Sequence, residues 1–250
     1  MQNNAKNQNS EGDATQTNTA QTILKPTFKE VAELVTIHLD NGLVFNSKRV
    51  KAANFRGLRG ANYGKRFRMP IMPELVQLVY ACLENKKYKT AEEVINSLSN
   101  TNILTGDTGI LYTKEGMYVQ DNPKIDRIIS INQKSLENKL GKHEEKGVVF
   151  SDDKSVRFTP YNYLTRYQNS LELSRNTGII ALFGGEENAE KIARASEHCK
   201  GKSYFLALSD VDYPKIRVAG LTLMYFDFGI DIYADYSGIV ADKFTYGVEK

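Results

Sequence analysis

Residues 225–235 alternate without a break: Phe226, Phe228, Ile230, Ile232 and Ala234 interleave with Tyr225, Asp227, Gly229, Asp231, Tyr233 and Asp235. Successive side chains of an extended chain point to opposite sides, so this segment predicts a strand with one apolar and one tyrosine-aspartate face. A chain that carries such a strand has to build a sheet and cover one side of it with a core. Tyr236-Ser237-Gly238 then supplies loop chemistry, and Phe244–Val248 returns as a last strand.

The rest of the chain supplies what could cover that sheet. Pro73 suits the first turn of a helix, and Leu75, Val76, Leu78, Val79, Cys82 and Leu83 give that helix a broad apolar face. Thr90 with Glu93 has the spacing of a capping box ahead of Val94, Ile95 and Leu98, which predicts a second helix. The apolar positions of Phe28–Leu39 predict a short helix before a strand at Leu43–Phe45. Two hairpins follow, Ile110–Thr113 with Met117–Gln120 and Val148–Phe150 with Val156–Phe158. Gly178–Phe183 reads as a strand, Glu186–Cys199 as a helix and Tyr204–Leu208 as a strand. Helices early and strands late predict an α+β class with a mainly antiparallel sheet.

Residues 1–24 are almost entirely polar and bury too little to offset the entropy of ordering, so they are expected to form a disordered tail. Residues 25–250 contain no linker-like stretch and are expected to form a single domain. The chain has 250 residues, a formal net charge of +3 and two cysteines. That charge is too mild to imply a polyanionic partner, and Cys82 and Cys199 fit neither a disulfide framework nor a zinc site. Both are expected to be buried thiols. The chain has no apolar run long enough to span a bilayer and no secretory signal, so a soluble, cytoplasmic protein is expected by default.

Three further features bear on chemistry. Phe183-Gly184-Gly185, between an expected strand and helix, could present amides to a phosphate, but it lacks the rest of a phosphate-binding fingerprint and is followed by Glu186 and Glu187. Residues 48–68 interleave Lys48, Arg49, Lys51, Arg56, Arg59, Lys65, Arg66 and Arg68 with Phe55, Tyr63 and Phe67. This pattern holds nucleic acid in some proteins, and in others is a loop whose arginines pair with remote carboxylates. His38, His143 and His198 have no metal-ligand spacing, and His143 sits in a charged run, Lys142–Lys146, read as a solvent-facing loop. No nucleophile-base pattern is visible, so a catalytic role would need groups converging from scattered positions.

Residues 225–242 differ in kind from these. They contain no Lys, Glu, Gln, Met or Trp. Strand propensity accounts for part of that. The same five amino acids are the ones excluded when the first two bases of a codon vary and the third is a pyrimidine, as in randomising the adenines of an asparagine codon. Tyrosine with Ser, Gly and Asp is also the mixture that antibody-type binding surfaces favour.

Here the chain resembles the variable proteins of diversity-generating retroelements, of the archaeal type. The resemblance is carried by Tyr63-Gly64-Lys65-Arg66-Phe67-Arg68-Met69-Pro70-Ile71-Met72-Pro73-Glu74-Leu75, Tyr80-Ala81-Cys82-Leu83-Glu84-Asn85, Leu104-Thr105-Gly106 and Gly116-Met117-Tyr118-Val119-Gln120-Asp121-Asn122-Pro123. Arg217-Val218-Ala219-Gly220 before the segment and Tyr246-Gly247-Val248 after it complete the match. It implies a C-type-lectin-like fold with two helices on mainly antiparallel sheet, neighbouring termini, and a variable segment at about 225–242. It also implies a monomeric display protein without enzymatic activity, whose unknown ligand, expected to be a protein, contacts Tyr225, Asp227, Gly229, Asp231, Tyr233, Asp235, Tyr236, Ser237, Gly238, Ile239, Val240 and Asp242. The acidic and tryptophan-containing motifs of calcium-dependent lectins are absent, so no metal and no cofactor is expected.

Overall fold

The computed structural model describes residues 29–30, 36–98, 102–125, 129–199, 202–223, 229–236 and 243–250. The expected tail therefore lies outside the described residues. Along the chain, β1 (Lys29–Glu30), β2 (Thr36–His38) and β3 (Val44–Ala52) precede α1 (Phe55–Arg59) and β4 (Phe67–Arg68). Two helices, α2 (Met72–Glu84) and α3 (Lys89–Leu98), lead into the hairpin of β5 (Ile103–Tyr112) and β6 (Gly116–Asp121). The small pair β7 (Lys124–Ile125) and β8 (Ile129–Ser130), then α4 (Gln133–Glu137), connect to the meander β9 (Leu140–Glu145), β10 (Val148–Ser151) and β11 (Val156–Pro160). After β12 (Tyr167–Gln168) come α5 (Ser170–Ser174), α6 (Thr177–Phe183) and α7 (Glu186–Glu197), and the chain closes with β13 (Ser203–Leu206), β14 (Lys215–Leu223), β15 (Ile230–Tyr236) and β16 (Lys243–Glu249).

Fourteen of these strands share one sheet, nine of them in the order β1-β2-β3-β16-β5-β14-β15-β13-β12, with β4 paired to β16 off this path. The sheet forks at β5. β16 pairs with its first residues, Ile103 and Leu104, whereas β6 pairs with Thr108–Tyr112 and carries β11, β10 and β9 beyond it. Pairing is antiparallel except between β13 and β15 and between β16 and β5. β3 lies beside β16, the last strand of the chain.

One face of the sheet is covered by α2, α3, α6 and α7. Leu75, Val76, Leu78 and Val79 of α2 and Ile192 of α7 share a fully buried core with Leu104, Leu221, Ile230, Ile232 and Phe244 from four strands. The start of α2 is fixed by Glu74, whose carboxylate accepts the Ile71 amide at 2.9 Å and pairs with Arg68. The charged centre of the fold is Arg157 on β11, 1% exposed, which makes a bidentate pair with Asp121 of β6 and donates from Nε to the Ala181 carbonyl of α6 at 2.7 Å. Thr108 extends this network by donating to Asp121 at 2.7 Å and accepting the Met72 amide at 3.0 Å. A buried charge is tolerated only when paired and hydrogen-bonded in this way, and here the network joins three strands and two helices.

The hairpins, α2, α7, β13, β15 and β16 match the sequence expectations, β14 was not expected, and several elements differ. Residues 177–183 form a helix rather than a strand: the Asn176 side chain caps it by accepting the Gly178 amide, and Gly184 ends it in the left-handed region at φ 79°. Lys29–Glu30 and Thr36–His38 are strands, where a helix was expected over Phe28–Leu39; residues 31–35 lie outside the described residues. Thr90 is the second residue of α3 rather than its cap. His143 stands on β9, not in a loop, and Cys199 is only partly buried. The described residues contain seven helices, five more than the two implied by the resemblance, while the α+β class with mainly antiparallel pairing holds.

Candidate recognition surface

β15 is held on both edges. It pairs antiparallel with β14 from Leu223↔Ile230 to Val218↔Tyr236, and in parallel with β13 from Tyr204↔Asp231 to Leu206↔Tyr233. Its even-numbered side chains Ile230, Ile232 and Ala234 are fully buried against the helical layer, as the alternation requires. The entry to the strand is also fixed. The Gly229 amide donates to Lys202 O at 3.1 Å, the Ile230 amide donates to Ser203 Oγ at 3.0 Å, and a Cβ on Gly229 would lie 2.7 Å from Lys202 C and Ser203 N.

The odd-numbered face departs from the expectation of a fully presented surface. Gly229 is buried and serves packing. Asp231 is only 7% exposed; its Oδ2 accepts the Tyr233 hydroxyl at 3.3 Å, and its Oδ1 makes no hydrogen bond. Burial pushes the Asp231 carboxyl upward, and the Tyr233 hydroxyl partly opposes that shift. Tyr233 is partly exposed. Asp235 and Tyr236 belong to the strand, whereas Tyr225, Asp227, Ser237, Gly238, Ile239, Val240 and Asp242 lie outside the described residues. Two tyrosines that the sequence does not single out flank this face: Tyr204 on β13 and Tyr167 on β12, with ring centroids 4.7 Å apart.

No family model and no curated protein matches the chain. A solved structure, described as "Accommodation of massive sequence variation in Nanoarchaeota by the C-type lectin fold", is similar over 88% of this chain and 100% of its own, with a TM-score of 0.53 and 17% identity. The fold is the C-type lectin fold.

On this C-type lectin fold the basic stretch 48–68 is dispersed. Lys48, Arg49 and Lys51 lie on β3, and Arg56 and Arg59 on α1. Arg59 Nε pairs with Asp107 at 3.2 Å, Arg66 with Glu249 and Arg68 with Glu74, while Phe55 and Tyr63 are buried under α1. Arginines paired with remote carboxylates are what this geometry provides, and the aromatics face the core rather than a strand of nucleic acid. Gly184-Gly185 connects two helices, and the Glu145 carboxylate accepts the Glu186 amide at the start of α7, where a phosphate would have to sit. His198 pairs with Glu84 at 2.6 Å, and His143 packs on Phe150. Among the described residues no group of three His, Cys, Asp or Glu is placed to hold a metal, and no helix is long and apolar enough to cross a membrane.

Proposed function

We propose that this chain is a ligand-binding display protein, monomeric and without catalytic activity, whose segment of about 225–242 is a surface diversified by retroelement-directed adenine mutagenesis. The observation that carries the reading is the residue content of that segment: Lys, Glu, Gln, Met and Trp are missing from a stretch adjoining and including β15. The fold supports it, because the similar Nanoarchaeota structure is described as accommodating massive sequence variation on the same scaffold. The pairing of β15 supports it further. Backbone hydrogen bonds on both edges and the buried Ile230 and Ile232 hold the strand from its backbone and its inner face, which leaves the outer face to carry other side chains. Tyrosines give large contact area at low entropic cost, and a protein partner uses them well.

The test is made on DNA. A near-copy of the 225–242 coding sequence that differs from it almost only where the copy has adenine, together with a reverse-transcriptase gene nearby, is the expected finding. The absence of both would falsify the diversification reading.

A further inference from the structure

Phe55, Leu58, Tyr63, Met69 and Val218, with Val50 and Ala52 packed against them, form a small cluster separate from the core beneath α2 and α7. Two of its members belong to α1, a helix of five residues, which is too short to stand without that packing. Segments with so few apolar contacts open locally before the fold does. Residues 54–64 are tied chiefly to themselves. The Asn54 side chain accepts the Gly57 amide at 2.8 Å, the Tyr63 hydroxyl donates to the Leu58 carbonyl at 2.6 Å, and Gly64 ends the segment at φ 92°, a left-handed conformation that glycine adopts without strain. Arg59 ties the segment to the rest of the fold: its Nε pairs with Asp107 Oδ2 of β5 at 3.2 Å, and its Nη1 donates to the Pro123 carbonyl beyond β6.

The acceptor of that tie is itself poorly satisfied. Asp107 is 5% exposed, and its Oδ1 makes no hydrogen bond. Facing it are Arg59 and Tyr63 from the segment, Arg68 from β4, which pairs with Glu74 of α2, and Asp121 from β6, which pairs with Arg157 of β11. Burial outweighs Arg59, so the carboxyl is pushed up to about 6.

We propose that residues 54–64 form a clip that lifts off the sheet as a local unit, and that closing it takes up a proton at Asp107. Arg59 and Tyr63 cover the carboxyl from one side, so lifting the segment lets water reach it and returns it toward its ordinary value. The closed state then holds the proton more tightly than the open one. Closure is favoured fully below about pH 4, weakens as the pH rises to about 6, and is constant above. The counter-charge on Arg59 moderates this order without reversing it. The clip does not depend on the display reading.

Hydrogen exchange of the full-length chain, followed amide by amide and corrected for the intrinsic rate at each pH, reads the opening. The amides of Leu58, Gly60 and Ala61, which donate to the carbonyls of Asn54, Arg56 and Leu58, are expected to lose protection about 50-fold between pH 4 and pH 7. Mild urea should leave their exchange unchanged while it speeds that of the α2 amides, because a local opening exposes little surface. Asp107→Asn is expected to flatten the pH dependence, and Arg59→Gln, which removes the charge opposing burial, to move its midpoint upward. Backbone amide spectra check that each variant is folded; if Asp107→Asn is not, Arg59→Gln and the natural protein carry the test. Protection in α1 that does not change with pH, or that responds to urea as α2 does, overturns the clip. An unaltered pH profile in Asp107→Asn overturns the assignment of the proton.

Discussion

Asp107 and Arg157 show how differently two buried charges are treated in this protein. Asp107 Oδ2 pairs with Arg59, but Oδ1 makes no hydrogen bond, and burial pushes the carboxyl from 3.8 to about 6, with Arg59 opposing the shift and Asp121 adding to it. A folded-state value above the unfolded one means that the native protein holds this proton more tightly. The stability from this group is therefore full below about pH 4, falls as the pH rises to about 6, and is flat above. Asp107→Asn removes the titration, so the variant is expected to gain ~2 kcal/mol on the natural protein between pH 4 and pH 7.5. Urea unfolding of both proteins at the two pH values measures this, and a pH-independent difference would contradict it. Arg157, by contrast, is paired on every side. Arg157→Met is expected to cost ~3–5 kcal/mol, because the Asp121 carboxylate is left buried with, among the described residues, only the Thr108 side chain as donor. Adding Asp121→Asn in the same chain should return part of that loss.

At the scale of the element, β15 divides its positions between two tasks. Ile232→Asp puts a charge into the helical core and is expected to abolish cooperative unfolding, whereas Tyr233→Ser on the other face is expected to change stability by no more than about 1 kcal/mol. Gly229→Ala should cost ~1–3 kcal/mol, since its methyl group would have to displace backbone at Lys202 and Ser203. Thermal melts of the three variants order them. The same division explains which elements were legible. Alternation revealed β15 and the hairpins, and helical spacing revealed α2, because each has one polar side. Ile179, Ile180, Ala181, Leu182 and Phe183 are all fully buried, and a run buried on every side has no period to read. Only Asn176 before it and Gly184 after it announced a helix there. The burial of Asp231 and the Tyr167–Tyr204 pair stayed hidden for another reason: they depend on which strands become neighbours, and β12, β13 and β15 are far apart in sequence.

Across the whole molecule the order β3-β16-β5 decides how the sheet is completed. β16 lies after residues 225–242 in the chain but in the interior of the sheet, with β3 on one side and β5 and β4 on the other. A chain ended at residue 242 leaves β3 and β5 with open edges, and it is expected to aggregate without a cooperative melt; a soluble, cooperatively folded truncation would show that β16 is dispensable. The pairings of Arg59 with Asp107 and Arg68 with Glu74 belong to this scale too, since they tie the 48–68 stretch back onto the sheet and helix that follow it. If residues 225–242 are rewritten from one generation to the next, the slot between β3 and β5 becomes a reading-frame check. A message with a shift or a stop inside the rewritten stretch never delivers the strand that fills it, so proteolysis clears the misprint and only intact sentences reach the surface.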